Sequence, residues 1–250
     1  MSFKMIKIIG ERNSGTHWLK HLISTNSDAE VCDEDKHLFK LKAKNIKSLK
    51  TVDLFSESEY INCLNLNSPD VLSIYIYKST LSWIASMHKT PYHAWEMADI
   101  NEDGLLCSNK KMSEFIRSKW TERGGWITDY KNNPSAYGVL AEYENVIDLR
   151  NKKHESVFSL ASQCPNFKFV KYENLLFNTE TVLSNILLKE DILLPNNQSK
   201  THKNSKLWSE QRKNYYKNQE YKLLFSQEDC EFISSQINHD FEFKLDFLSN

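Results

Sequence analysis

A run of small and polar residues near the N-terminus carries the clearest chemical signal in this chain. Residues 8–19 read IIGERNSGTHWL, which is an apolar strand end, a turn with glycine and serine, and the start of an amphipathic helix. Such a strand, turn and helix aim backbone N–H groups and the positive end of the helix at one point, as in sites that hold phosphate or sulfate. Arg12 adds a basic side chain beside the hydroxyl groups of Ser14 and Thr16. We therefore expect an anion-binding loop here rather than an ordinary strand-to-helix turn.

The same loop lacks the residues that a nucleoside triphosphatase needs. Gly10 and Gly15 have the spacing of a Walker A loop. Thr16 and His17 follow, however, where that loop requires lysine and then serine or threonine. The strand predicted at 71–77 also ends without an aspartate that could hold magnesium. The pattern therefore favours an anion cradle that does not transfer a γ-phosphoryl group.

A second candidate anion site follows the strand predicted at 71–77. Lys78 ends that strand, and Ser86 lies eight residues later on the following predicted helix. Together they offer a point charge and a hydroxyl donor, which suit a phosphate with about two negative charges. Taken alone, the pair is better explained as a solvated lysine and a surface serine. Its combination with the first loop is what favours a nucleotide site.

Strands and helices alternate through the first two thirds of the chain. Three short apolar runs, rich in β-branched and aromatic residues, predict strands of a parallel sheet at 4–9, 71–77 and 167–172. Apolar residues at helical spacing predict helices at 16–24, 80–89, 112–130 and 136–149. The order predicts an α/β fold with a central parallel β-sheet flanked by helices.

The last third of the chain reads as helices only. Helices are predicted at 179–188, 210–225 and 227–237. Ser226 and Asp229 have the spacing of a capping box at the start of the last one. The lysine- and asparagine-rich stretch 196–206 is predicted to be a loop, either a disordered linker or a loop laid over an anion site.

The composition is that of an ordinary globular protein. Of 250 residues, 40% are hydrophobic and 26% charged, with no internal repeat. The 32 Lys and Arg against 33 Asp and Glu give a net charge of −1, which argues against a nucleic-acid-binding protein. The length fits one large α/β domain, so we predict a single domain over 1–250.

Cysteine spacing and hydropathy indicate the cellular compartment. The chain has an odd number of cysteines, with no CxxC spacing, at 32, 63, 107, 164 and 230. We therefore expect reduced thiols, and neither a disulfide framework nor a metal site. No run approaches the roughly 18 apolar residues that a membrane-spanning helix needs, and no signal peptide is evident. These features predict a cytoplasmic protein without membrane insertion.

The two candidate anion sites resemble those of the P-loop sulfotransferases, which use 3′-phosphoadenosine 5′-phosphosulfate (PAPS). In that family a basic residue and then Ser-Gly-Ser or Ser-Gly-Thr follow the first strand, and residues 14–16 match this frame. The whole run at 10–16, Gly-Glu-Arg-Asn-Ser-Gly-Thr, looks similar to a bacterial-type subgroup. Asn13 stands where the usual basic residue would be. The resemblance implies that Arg12 takes the basic role.

The resemblance extends to later motifs. Lys78 and Ser86 match a family pair that grips the 3′-phosphate, although Thr80 stands where members usually carry proline. Residues 172–175, Tyr-Glu-Asn-Leu, look like a family motif with a structural role, in which the glutamate braces the loops. Arg212 lies in a run similar to a C-terminal one of the subgroup. It would close over the nucleotide, unless it is an exposed helix arginine.

The resemblance implies a three-layer P-loop sulfotransferase-like fold, with PAPS as the sulfuryl donor and no metal. The implied acceptor is a hydroxyl or amine of a carbohydrate or small metabolite, which attacks in line. The residues implied to bind the nucleotide are Arg12, Asn13, Ser14, Gly15, Thr16, His17, Trp18, Lys78, Ser86 and Arg212.

Sulfuryl transfer needs a base for the acceptor proton and positive charge where the leaving oxygen becomes negative. The family commonly uses His or Glu as the base, often as Lys-His, and Lys36 and His37 stand at a suitable place. His37 is predicted to be the base because imidazole titrates near neutrality, and Glu34 or Asp35 could orient it or replace it. Arg12 is predicted to stabilise the leaving group, with Lys36 in reserve. A small-molecule kinase on the same fold and a non-catalytic nucleotide-binding relative stay open as alternatives.

The sequence gives little indication of the acceptor substrate. Several aromatic side chains in the middle of the chain could stack on a sugar, but an aromatic at helical spacing is more often a core residue. These residues are Trp83, Tyr92, Trp95, Trp120 and Trp126.

Overall fold

A computed structural model describes residues 3–32, 66–123, 127–133, 139–194 and 210–249. In chain order, the strands in these ranges are β1 Met5–Gly10, β2 Glu30–Cys32, β3 Val71–Tyr77, β4 Ala98–Ile100, β5 Leu106–Ser108, β6 Trp120–Arg123, β7 Val139–Tyr143 and β8 Phe167–Lys171. Four of them form a parallel sheet in the order β2-β1-β3-β8. The predicted α/β architecture with a central parallel sheet is confirmed.

Helices occupy most of the rest of the described chain. They are α1 Thr16–Asn26, α2 Thr80–Lys89, α3 Met112–Arg117, α4 Ile127–Asn132, α5 Val146–Gln163, α6 Tyr172–Phe177, α7 Thr179–Leu187, α8 Glu210–Lys217, α9 Gln227–Gln236 and α10 His239–Leu248. Two short 3-10 helices are Trp95–Met97 and Glu220–Leu224. Among the described helices, none has the length and apolar character needed to cross a bilayer.

β3 lies in the middle of the core, and all of its residues are buried. Its side chains alternate between the two faces of the sheet, as the pleat requires. Leu72, Ile74 and Ile76 pack against α1, α6 and α7 on one face. Tyr75 and Tyr77 pack on the other face against α5 and α10. Helices therefore cover both faces of the central sheet.

The strand order brings two strand ends together. β2 pairs with one side of β1, and β3 pairs with the other side. The register places Gly10 opposite Ile76, so β1 and β3 end level with each other. In open parallel sheets, ligands bind at the carboxyl edge where the strand order reverses in this way. The two predicted anion sites leave the sheet at this one edge.

Predictions for the middle of the chain were partly wrong. The helix predicted at 112–130 is α3, then β6, then α4. β6 alternates in burial, but one of its inward positions is Glu122, so the hydrophobic pattern does not reveal the strand. The helix predicted at 136–149 is β7 followed by α5. Asn145 caps α5 by accepting from the N–H groups of Ile147 and Asp148, which fixes the start of the helix.

The C-terminal third follows the prediction more closely. Every described element after β8 is helical, and the capping box of Ser226 and Asp229 is present. The helix predicted at 210–225 is interrupted at Gln219, which has a φ of 54° in the left-handed region. α10 and the short strands β2, β4 and β5 were not predicted. The stretch 196–206 lies outside the described residues.

Gly15 combines a left-handed backbone conformation with a close approach to another side chain. Its φ is 97°, and a Cβ atom placed there would lie 2.7 Å from Cδ2 of Tyr172. We expect Gly15→Ala to lower the free energy of unfolding by about 2–3 kcal/mol, from strain at positive φ and from the clash with the ring. Urea unfolding measures this loss.

Gly104→Ala is the matched control. Gly104 also has a positive φ, 73°, but a Cβ atom there meets nothing within 4 Å. We expect a loss of only about 1 kcal/mol, from backbone strain alone. Equal losses in the two variants would contradict the role of the close contact with Tyr172.

Candidate functional site

The first loop, residues 11–15, joins β1 to α1. Ser14 closes it by donating its backbone N–H and its hydroxyl to the carbonyl of Glu11, at 3.2 Å and 2.6 Å. Asn13 and Gly15 both have positive φ, which lets the chain turn sharply into the helix. α1 then begins at Thr16, with Gly15 as its N-cap. The backbone N–H groups of the first helical turn and the helix dipole thus point out from this loop, as the sequence predicted.

The side chain of Asn13 fastens this loop to α2. Its amide donates to the backbone carbonyls of Ser86 and Thr90, at 3.2 Å and 3.0 Å. The residue that replaces the usual basic residue therefore points at α2 and holds the loop in place. Because this side chain is engaged with α2, the predicted contact of Asn13 with a nucleotide would be made by its backbone atoms.

Lys78 and Ser86 lie together, as the resemblance implied. The Lys78 Nζ atom donates to Ser86 Oγ at 2.9 Å and lies 4.7 Å and 5.5 Å from the ring centroids of Tyr172 and Tyr216. Lys78 is only 1% exposed. Burial lowers the pKa of Lys78 to about 8, and the charge of Arg212 acts in the same direction.

Arg212 belongs to this cluster. Its Nε donates to the Tyr172 hydroxyl at 2.8 Å, and its guanidinium carbon lies 5.7 Å from the ring centroids of Tyr172 and Tyr216. The side chain is half-buried, so the alternative of an exposed helix arginine is wrong. We call Lys78, Ser86, Tyr172, Arg212 and Tyr216 the basic cluster.

Tyr172 joins the first loop to the basic cluster. Its ring meets the position where Gly15 would carry a Cβ atom, and Trp18 of α1 packs against it edge-on with ring centroids 5.5 Å apart. The hydrogen bond from the Asn13 amide to the Ser86 carbonyl also links the first loop to the basic cluster. The two predicted anion sites are therefore neighbours at the carboxyl ends of β1, β3 and β8.

The remaining predicted binding residues have different settings. Ser14, Thr16 and Trp18 are buried, so Trp18 serves the core, whereas His17 is exposed on α1. The predicted base His37 and its neighbour Lys36 lie outside the described residues. The aromatics Trp83, Trp95 and Trp120 are core residues, which leaves Tyr92, 39% exposed, as a described candidate for stacking on an acceptor. Trp126 is also outside the described residues.

Arg12 points into the protein. The residue is 5% exposed, and its Nε lies 3.6 Å from a carboxylate oxygen of Glu122. Lys153 Nζ lies 3.3 Å from the same oxygen. Burial lowers the pKa of Arg12, and the Glu122 charge acts against this shift. The guanidinium is thus held beside the first loop by a buried carboxylate, and its predicted contact with a leaving group stays a prediction.

A second buried network lies under the first loop and under the second loop, residues 78–79, which joins β3 to α2, and it is centred on Arg150 of α5. Its guanidinium donates to both carboxylate oxygens of Glu11 at 2.7 Å, to Glu242 at 2.7 Å, and to the Lys78 carbonyl at 2.8 Å. His154 lies between the same two carboxylates, at 3.3 Å from Glu11 and 3.4 Å from Glu242. Burial, the largest effect, opposes ionisation of Glu11, but the Arg150 charge and the contacts with His154 together outweigh it, and the pKa of Glu11 is lowered.

Sequence reasoning missed this network. The helix predicted at 136–149 ends one residue before Arg150, and the partners of Arg150 lie far away in the chain. A signal was present, since Arg150, Lys153 and His154 recur at helical spacing on the apolar face that holds Val146 and Val157. Basic residues on a buried helix face indicate buried carboxylate partners.

Comparisons of the chain with family models, with curated proteins and with solved structures found no match in any of the three.

Glu173 braces the second loop, where β3 passes into α2 after Lys78. Its carboxylate accepts from the backbone N–H and hydroxyl of Ser79 and from the hydroxyl of Ser82. The bracing role predicted for this residue is confirmed.

We expect Glu173→Ala to lower the free energy of unfolding by about 1–3 kcal/mol, because the donors of Ser79 and Ser82 lose a charged acceptor. Glu180→Ala, at an exposed position on the neighbouring α7, should change it by less than about 0.5 kcal/mol. Urea unfolding compares the two. A loss at Glu173 no larger than that at Glu180 would mean that other contacts hold the second loop.

Proposed function

We propose that this protein is a PAPS-dependent sulfotransferase, which transfers a sulfuryl group to a hydroxyl or amine of a carbohydrate or small metabolite. The observation that carries the proposal is the basic cluster, in which the buried Lys78 ammonium lies against Ser86 and near Arg212. This cluster adjoins a glycine-bearing loop at a helix N-terminus. Two anion sites side by side suit a nucleotide with anionic groups at both its 3′ and 5′ positions.

The chemistry of the basic cluster fits a phosphate monoester. Burial and the charge of Arg212 both disfavour the ammonium form of Lys78, and an added anion would offset both effects. A phosphate monoester carries about 1.5 to 2 negative charges and three acceptor oxygens. Lys78 can donate to it as a point charge, Ser86 through its hydroxyl, and Arg212 through a planar pair of N–H groups. We assign the 3′-phosphate to this cluster.

The first loop fits the 5′ end of the same nucleotide. Backbone N–H groups at the start of α1 and the helix dipole favour an anion there. The loop has no Walker lysine that would reach a γ-phosphate, which argues against a kinase. The first loop would thus hold the 5′-phosphosulfate while the basic cluster holds the other end.

PAPS supplies a sulfuryl group whose bond to the phosphate oxygen breaks as the acceptor oxygen or nitrogen attacks in line. The start of α1 would stabilise the negative charge that develops on the leaving oxygen. Arg12 lies beside this loop and would add to that positive potential. His37 as the base that takes the acceptor proton, with Lys36 beside it, stays a prediction.

Binding of adenosine 3′,5′-bisphosphate, the desulfated product, tests the proposal. Isothermal calorimetry should detect binding to the wild-type protein, in preference to ATP with magnesium. Lys78→Met should weaken it by roughly 10- to 100-fold, because a charged hydrogen bond is worth about 1.5–3 kcal/mol. Lys89→Met removes an exposed lysine from the same helix region and should leave the affinity unchanged.

Three outcomes would contradict the proposal. Absence of bisphosphate binding would exclude the nucleotide, and preference for ATP with magnesium would favour the kinase. Binding of the bisphosphate without transfer from labelled PAPS to any acceptor in a panel of sugars and small alcohols would favour a non-catalytic relative.

The affinity for the bisphosphate should fall above pH 8. Lys78 in the free protein loses its proton near that pH, whereas a bound dianion favours the ammonium, so binding must take up a proton. We expect a fall of up to about tenfold per pH unit between pH 8 and the higher pKa of the complex. Calorimetry in buffers of different ionisation enthalpy measures the number of protons taken up when the bisphosphate binds.

Lys78→Arg is the control for this pH dependence. Arginine stays charged throughout this range, so its affinity should be nearly flat from pH 7 to pH 9. A wild-type profile equally flat over that range would show that Lys78 does not contact the phosphate.

A further inference from the structure

We propose that Arg150 is a positioning residue that holds the two anion-binding loops at one fixed separation, so that the two anionic groups of a ligand bind cooperatively. This inference rests on the proposed function, because it concerns a ligand that spans both loops. Arg150 itself is completely buried and touches neither loop's outer surface. It would act on the ligand only through Glu11 and Lys78.

The contacts of Arg150 divide among three separate parts of the fold. One terminal nitrogen donates to both oxygens of Glu11, the first residue of the first loop. The other donates to the backbone carbonyl of Lys78, whose side chain lies in the basic cluster. Nε and that second nitrogen also reach Glu242 of α10, at 2.7 Å and 3.1 Å. A single rigid group thus ties both loops to one another and to a third element.

Trp83 of α2 adds to the same restraint. The Arg150 guanidinium lies 5.2 Å from its ring centroid, and the indole N–H donates to the carbonyl of Arg12 at 3.0 Å. The first loop is therefore held at Glu11 by the guanidinium and at Arg12 by the ring beneath it. Since Trp83 and Arg150 are both fully buried, neither can shift without moving the other.

Arginine has the chemistry that this position needs. Its planar group offers five N–H donors in a fixed arrangement, and here they serve two carboxylates and one carbonyl. Lysine would keep the positive charge between Glu11 and Glu242, but its three donors leave a single nitrogen and cannot reproduce the planar arrangement of the guanidinium. Buried ion pairs contribute little net stability compared with apolar packing, and a better attested use is to fix one arrangement.

The test compares four ligands: adenosine, 3′-AMP, 5′-AMP and adenosine 3′,5′-bisphosphate. Their dissociation constants from calorimetry give a coupling ratio, which is the product of the two monophosphate constants divided by the product of the bisphosphate and adenosine constants. In Arg150→Lys we expect this ratio to fall about tenfold or more. A merely structural role would weaken all four ligands alike and leave the ratio unchanged, which would overturn the proposal.

Two further variants complete the design. Lys152→Met removes an exposed basic side chain from the same helix and should keep the wild-type ratio. If Arg150→Lys does not fold, Glu242→Gln decides, because it weakens one of the anchors of Arg150 and leaves the Arg150 contacts with Glu11 and Lys78 in place. The ratio should then fall, and an unchanged ratio would overturn the proposal. A wild-type protein that binds no bisphosphate would instead contradict the proposed function itself.

Discussion

A buried guanidinium that must be paired on every side is the constraint on which this site depends. Removing a charge from water is tolerable only when partners satisfy it, and Arg150 finds them in Glu11, Glu242 and the carbonyl of Lys78. Those partners belong to the first loop, to α10 and to the end of β3. Each of these parts is thereby fixed relative to α5. The positions of the two loops at the surface of the site therefore follow from the need to pair the buried charge of Arg150.

The parallel sheet brings the parts of the site to one edge. β1 and β3 are adjacent and end level, so both loops leave the sheet beside each other. β8 ends next to β3, which puts Tyr172 within reach of both Gly15 and Lys78. Gly15 permits this contact because any side chain would collide with the ring. One strand order and one glycine thus make neighbours of two loops that are distant in sequence.

Local patterns in the sequence predicted those parts of this arrangement that depend on residues close together in the chain. β3 and α2 depend on residues within one strand and one helix, whose periodicity is visible in the chain. The pairing of Lys78 with Ser86 was expected from the resemblance to a family motif. The pairing of Arg150 with Glu11 joins residues 139 apart, and no periodicity encodes it. β6 escaped prediction because Glu122 occupies an inward position where an apolar residue would have marked the strand. Both of these failures lie where interior charges replace apolar residues.

These interior charges also determine where positive potential is available to a ligand. Glu11 and Glu242 are satisfied by Arg150, and Glu122 by Arg12 and Lys153, so the carboxylates beneath the loops are matched by cations beside them. Lys78 and Arg212 instead lie against a serine hydroxyl and two tyrosine rings. A chain with a net charge of only −1 can therefore still concentrate positive charge at one point. Because that point adjoins the start of α1, the two proposed anion sites would reinforce each other at the carboxyl edge of the sheet.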